Sequence, residues 1–214
     1  MKLVVFITFI CCFSCTKERK PTAQKENIGY KMYLKTGDIV FRESNQTKHL
    51  IFKEIHNTIL NDCGVVEIDD ENVWVWFVDQ RVKRLPIHIW LRSGTDVYFA
   101  ATRYAEHNSL IPSKFKLAMI RFKGRPEDYK YKWESKAVYN AEFVRKLYSK
   151  ILNTEITTLE NKYLYRNGTS KVEFKNLVTP YQLYTSPYFV EVFNSFPKQN
   201  DSVENNNEPI ISNQ

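Results

Sequence analysis

GRPEDYKYKWESKAVYNAEFV, residues 124 to 144, decides how the rest of the chain is read. Its first half is polar and punctuated by Gly124 and Pro126, which marks a loop. At Ala141 the pattern changes: Phe143, Leu147 and Ile151 fall on one helical stripe beside Val144 and Tyr148, with Arg145, Lys146 and Lys150 turned elsewhere. A loop therefore delivers Asn140 to the start of a helix that packs against something. Helix starts are where thiolates are stabilised. Asn140 stands there with no sulfur, and as an Asn it is also a preferred capping residue that would satisfy an orphan N–H.

Working outward, a strand from Asp38 to Phe41 follows a Thr36-Gly37 turn in MYLKTGDIVFRES. LNDCGVVEI and VWVWFV are β-branched and aromatic runs joined by DDEN, a connection of hairpin length. LPIHIWLRSG sets Pro86 in the first turn of a short helix and Gly94 just past its end. DVYFAATRY reads as a strand, SKFKLAMIRF as a helix capped by Ser113, and VTPYQLYTSPYFVEVF as a Thr179-capped turn with Pro180 first, then a last strand. Strands and helices are segregated, which predicts an α+β fold with an antiparallel sheet.

The ends differ in character. Residues 1 to 14 begin with Lys2 and an apolar run from Leu3 to Phe13, about eleven residues against the roughly 20 that span a bilayer, so they read as a leader that is removed. Residues 15 to 30 are a polar tether, 31 to 195 one folded domain, and 196 to 214 a polar tail. The formal net charge is +7, and removing 1 to 14 takes away only Lys2. No block of five like charges occurs, so nucleic acid is not an expected partner; attraction to anionic wall polymers or lipid head groups is compatible. Of four cysteines only Cys63 lies in the domain, so no internal disulfide is expected, and the histidines show no metal-ligand spacing. No cofactor and no metal is expected, and the chain is expected to be a monomer.

Several segments in order resemble the permuted NlpC/P60 branch of papain-like cysteine hydrolases, the YiiX/YebB kind: LKTGDIVFRES (34 to 44), DCGVVEI (62 to 68), GRPEDYKYKWESKAVYNAEFV and VTPYQLYTSP (178 to 187). The resemblance implies a circularly permuted papain-like fold. It also implies a cysteine nucleophile at the helix start, a histidine base on the facing strand and a polar residue that orients the imidazole. Carried onto this sequence, those positions are Asn140, Asp62 and Phe77, with Asp79 as the alternative third position two residues along the same strand face.

None of the three is fit for that work. The amide nitrogen of Asn140 has no available lone pair. A carboxylate, with a pKa of about 3.9 against about 6.5 for histidine, is too weak a base to hold a thiol proton near neutrality. Phe77 accepts no hydrogen bond. The reading is therefore a pseudoenzyme that keeps a groove, with Asp62, Asp79, Tyr139 and Asn140 as ligand-binding candidates and a cell-wall peptide, amide or acyl lipid as ligand. The alternatives are an active cysteine- or serine-type amidase, peptidase or acyl hydrolase of the same family, with the catalytic positions elsewhere in the alignment or another nucleophile such as Ser135, and a structural envelope protein whose cleft is filled by its own side chains. Cys63 should alternate away from Asp62 into the core, where thiols are inert. CFSC (12 to 15) is similar to the lipobox of bacterial lipoproteins, which implies acylation of Cys15, anchoring to a membrane, and a periplasmic or outer-membrane location; an ordinary secretory leader is the plainer alternative.

Overall fold

The computed structural model describes residues 28–166 and 170–197. The leader, Cys15, most of the tether and nearly all of the tail lie outside the described residues. A 3-10 turn, Ile28–Met32, leads into β1 (Ile39–Arg42) and α1 (Thr47–His56). Next come β2 (Asp62–Asp69), β3 (Asn72–Asp79), β4 (Arg81–Pro86), α2 (Ile87–Arg92), β5 (Ala100–Tyr104), α3 (Ile111–Met119) and α4 (Asn140–Leu152). The hairpin β6 (Glu160–Arg166) and β7 (Ser170–Leu177), then α5 (Pro180–Tyr184) and β8 (Phe189–Asn194), complete the order. Six strands form one sheet in the order β4-β3-β2-β1-β5-β8, and every pair is antiparallel; β6 and β7 stand apart as a two-stranded sheet.

The sheet separates two apolar clusters. On one face Cys63, Val65, Trp76 and Val78 pack with Phe52 of α1, Phe115 of α3 and Phe143 and Leu147 of α4. On the other, Val40, Val66, Val75 and Phe77 pack with Ile87, Trp90 and Leu91 of α2. Phe143, Val144, Leu147 and Tyr148 are fully buried. At about 1.5–3 kcal/mol per large side chain, that stripe clamps α4 to the sheet and fixes where its first residue sits.

Two glycines are required by close approach. A Cβ on Gly64 would lie 2.5 Å from Val75 Cγ1 and 2.7 Å from the Trp76 carbonyl. One on Gly94 would lie 2.7 Å from the Glu43 carbonyl and 3.2 Å from Arg42 Cδ, so the turn after α2 can close over Arg42 only because the side chain is absent.

The β2–β3 hairpin forms where the sequence predicts it, with Asp70 in the left-handed region (φ 54°) that its short polar side chain tolerates. Thr179 accepts from the Gln182 N–H and caps α5 with Pro180 at its start. Other details differ. Pro86 ends β4 and α2 begins one residue later. Ser113 lies within the first turn of α3, because Pro112, with its preset φ, serves that turn and draws the start to Ile111. α1, β4 and the β6–β7 hairpin have no counterpart among the elements expected from the sequence. Among the described residues no helix is long and apolar enough to cross a membrane.

Candidate functional site

The register of β1 on β2 places Arg42 directly opposite Asp62. Both are fully buried. The guanidinium grips the carboxylate through Nε at 2.9 Å and Nη2 at 2.7 Å. It also donates from Nη1 to Ser93 Oγ at 2.9 Å and lies 4.1 Å from the Trp90 ring centroid. Arg42 is thus enclosed by the short helix that Gly94 lets close.

From the other side comes Asn140, the first residue of α4. Its Oδ1 accepts the N–H of Val78, where β3 runs on past its last pair with β2, Trp76–Val65. Its Nδ2 donates to Asp62 Oδ1 at 2.5 Å and faces His49 Nε2 at 3.3 Å. An amide has one carbonyl and two N–H groups, and all of them are engaged here. That network fixes the His49 tautomer: Nε2 carries the lone pair toward Asn140, and Nδ1–H donates to Ser44 Oγ at 2.9 Å. Ser44 in turn accepts from the Gln46 N–H.

The charges follow from this packing. Burial works to raise the Asp62 carboxyl, but the charges of His49 and Arg42, the Arg42 hydrogen bond and the Cys63 N–H outweigh it, and the group lies below the usual carboxylate range. Burial pulls His49 below the usual imidazole range, and the attraction of Asp62 only partly opposes this. Protonating Nε2 would set N–H against N–H at Asn140, which together with burial disfavours the imidazolium, while Arg42 is the ion-pair partner of Asp62.

The sequence-derived positions therefore meet only in part. Asn140 and Asp62 touch. Phe77 does not join them: it is 3% exposed in the opposite apolar cluster with Val66 and Trp90, because successive strand residues point to opposite faces. Asp79 sits at the rim, 2.7 Å from Lys83 Nζ and 3.8 Å from Lys48 Nζ, and the Lys83 hydrogen bond holds its carboxyl below the ordinary range. Tyr139 is not a groove residue. It is 3% exposed, and its hydroxyl accepts the Val178 N–H at 2.9 Å. Nor does Asn140 cap α4. Tyr139 holds the cap position, and the Glu142 carboxylate reaches back to its N–H at 3.3 Å. Burial raises Glu142 to about 7 despite its ion pair with Lys146 at 2.6 Å.

Asp62, Tyr139 and Asn140, the expected ligand-facing residues, are all sealed. The cavity beside Asn140 measures about 10 Å³, roughly the room of one water molecule. Lys48 closes it by pairing with Glu127 at 2.5 Å, and Tyr131 by donating its hydroxyl to the Lys48 carbonyl at 2.5 Å. Arg125 points away, donating to the Arg121 carbonyl at 2.7 Å and stacking on Phe122. Ser135 holds the Ala137 N–H at 3.0 Å in its own loop. Cys63 is fully buried, and burial pushes its thiol well above the ordinary value. Two residues of the centre, His49 and Arg42, are not legible in the sequence. His49 carries no local signal, since it sits in a short helix between a lysine and a leucine, and Arg42 becomes a site residue only through strand register.

The family model described as permuted papain-like amidase enzyme, YaeF/YiiX, C92 family, matches residues 33–193. The chain belongs to this family. It is similar to the uncharacterized protein YiiX of Escherichia coli (strain K12), with 22% identity over 177 residues, 76% of this chain and 87% of that one. In fold it is similar to the crystal structure of yiiX from Escherichia coli O157:H7, described as a metalloprotein, with a TM-score of 0.69 and 19% identity over 76% of this chain and 98% of the other. The permuted papain-like fold read from the motif order therefore stands, with the sheet antiparallel and the helices segregated.

Proposed function

We propose that this chain is a non-hydrolytic member of the permuted papain-like amidase family, an envelope lipoprotein held to a membrane through Cys15 in the periplasm or at the outer membrane, which binds a cell-wall peptide, amide or acyl-lipid ligand without cleaving it. One observation carries the loss of hydrolysis. At the helix start, where the family resemblance calls for a thiol, Asn140 commits its carbonyl and both its N–H groups to Val78, Asp62 and His49. A group so engaged attacks nothing, and at 3% exposure no carbonyl carbon reaches it.

A specific observation favours a second reading. Ser44, His49 and Asp62 form a hydroxyl, imidazole and carboxylate series, with Ser44 Oγ 2.9 Å from Nδ1 and Asp62 Oδ1 3.6 Å from Nε2. Full burial of Ser44 argues against it, since a nucleophile must meet its substrate.

The metal of the solved relative has no counterpart in these donors. Both His49 nitrogens face Ser44 and Asn140, the Asp62 oxygens are held by Arg42, Cys63 and Asn140, and among the described residues no group of three or more His, Cys, Asp or Glu is placed to hold an ion. No step here runs through a metal.

The test is to incubate the purified full chain with peptidoglycan fragments, acyl amides, acyl esters and an electrophilic probe. No turnover and no covalent adduct are expected. Turnover abolished by Ser44→Ala or His49→Ala would establish the second reading instead.

A further inference from the structure

The loop that seals the old centre builds something open on its outer side. Asp128 accepts the Lys130 N–H at 2.8 Å and the Lys132 N–H at 2.6 Å, which holds Tyr131 in the left-handed region (φ 52°), a conformation an aromatic residue adopts only when its surroundings impose it. Tyr131 then packs edge-on against Phe52, Tyr139 and Phe174. Between this loop, α1 and β7 lies a groove of about 930 Å³, within the range of small-molecule sites. Its walls include Ile51, Tyr129, Tyr131, Trp133, Val172 and Phe174.

The charges around it are unequal. Lys48 is neutralised by Glu127, but Lys130, Lys132 and Lys175 line the groove without an ion-pair partner among the described residues. On the acidic side are Glu173, which accepts from the Tyr163 hydroxyl at 3.2 Å, and Glu134. An apolar trough with a surplus positive charge of one suits a ligand with one long apolar body and one anionic end.

We propose that this groove binds a free fatty-acid carboxylate, the acyl chain lying along Ile51, Val172 and Phe174 and the carboxylate meeting Lys130 and Lys132. The inference rests on the binding role proposed above and names its ligand class. Three C10 amphiphiles that differ only at the head test it: decanoate, decanol and decyltrimethylammonium, titrated below the micelle concentrations of the two ions and the solubility limit of the alcohol into the purified full chain, with an acidic peptide and a peptidoglycan fragment alongside.

Decanoate is expected to bind saturably and at least about ten-fold more tightly than the trimethylammonium compound, as expected where like charges repel. Lys130→Ala and Lys132→Ala should each weaken decanoate about three-fold, in line with exposed charge pairs, and leave decanol unchanged. Val172→Asp should abolish binding of both. Equal binding of the three head groups, or decanoate binding untouched by the lysine variants, overturns the proposal. The lysine variants remain decisive even if Val172→Asp fails to fold. Binding of the peptide or the peptidoglycan fragment without decanoate sinks this inference and leaves the binding role standing; binding of none of them sinks both.

Discussion

Two polar regions lie on either side of Tyr131 and Lys48 and obey opposite rules. Inside, Arg42, Asp62, His49 and Asn140 are buried, and the groups of this network are met by one another, by Ser44 and Ser93 or by a backbone N–H, with Arg42 Nη2 held only through its ion pair with Asp62. Outside, Lys130, Lys132 and Lys175 stand at the groove with no ion partner among the described residues. The difference is one of solvent. A buried charge without a partner costs several kcal/mol, so a sealed centre must be complete, whereas an exposed ammonium is satisfied by water and stays available. Mutual pairing closes the inner region to solvent, and unpaired charge makes the outer one a candidate for binding.

That contrast breaks most sharply at Asp62. Asp62→Ala strands the Arg42 charge and should cost about 3–5 kcal/mol in denaturant unfolding; a loss under about 1 kcal/mol would mean that water reaches the centre. Asn140→Ala leaves the Val78 N–H unmet and removes one of the two donors to Asp62 Oδ1, and should cost about 2–3 kcal/mol in the same measurement. Asn140→Cys should destabilise to a similar degree and alkylate slowly with iodoacetamide in the native protein, because the position is sealed; fast alkylation would show it open.

The pH dependence sharpens the comparison further. Because the folded His49 lies below its ordinary value, its contribution is whole above about 6.5 and is lost as pH falls through the folded value, since the unfolded chain takes up a proton that the folded one refuses. The stability difference between wild type and His49→Gln should therefore shrink from about pH 7 to about pH 5. Glu142 has the opposite sign. Raised to about 7, it contributes fully below its unfolded value of about 4.5 and is lost as pH rises through 7, so Glu142→Gln should gain on the wild type over that rise. The smallest effect belongs outside: Lys130→Ala should alter stability by no more than about 0.5 kcal/mol.

The parts of the fold legible in advance are those with strong local chemistry. The run from Val73 to Val78, the stripe from Phe143 to Ile151 and the Thr179-Pro180 start each state their conformation within a few residues. α1 escapes such a reading because its apolar stripe is weak, with only His49 and Phe52 buried. β6 and β7 carry a usable signal in the alternation of Val172 and Phe174 with charged residues and in the intervening Asn167-Gly168. In the site, Asn140 and Asp62 are found because motif order brings them together. Phe77 fails because a strand face inferred one residue out of phase puts a side chain on the wrong side of the sheet.

The sequence alone determined that Asn140 and Asp62, and not a cysteine and a histidine, stand at the positions the motif order picks out, because residue identity sets which side chains can donate electrons or carry a proton. Only the tertiary structure decided that the centre around Asp62 and Asn140 is closed. Closure depends on Arg42 meeting Asp62 through β1–β2 register, on His49 arriving from a separate helix, and on Tyr131 and Lys48 covering both. Those are contacts between residues distant in the chain, and local sequence cannot encode the distance between them.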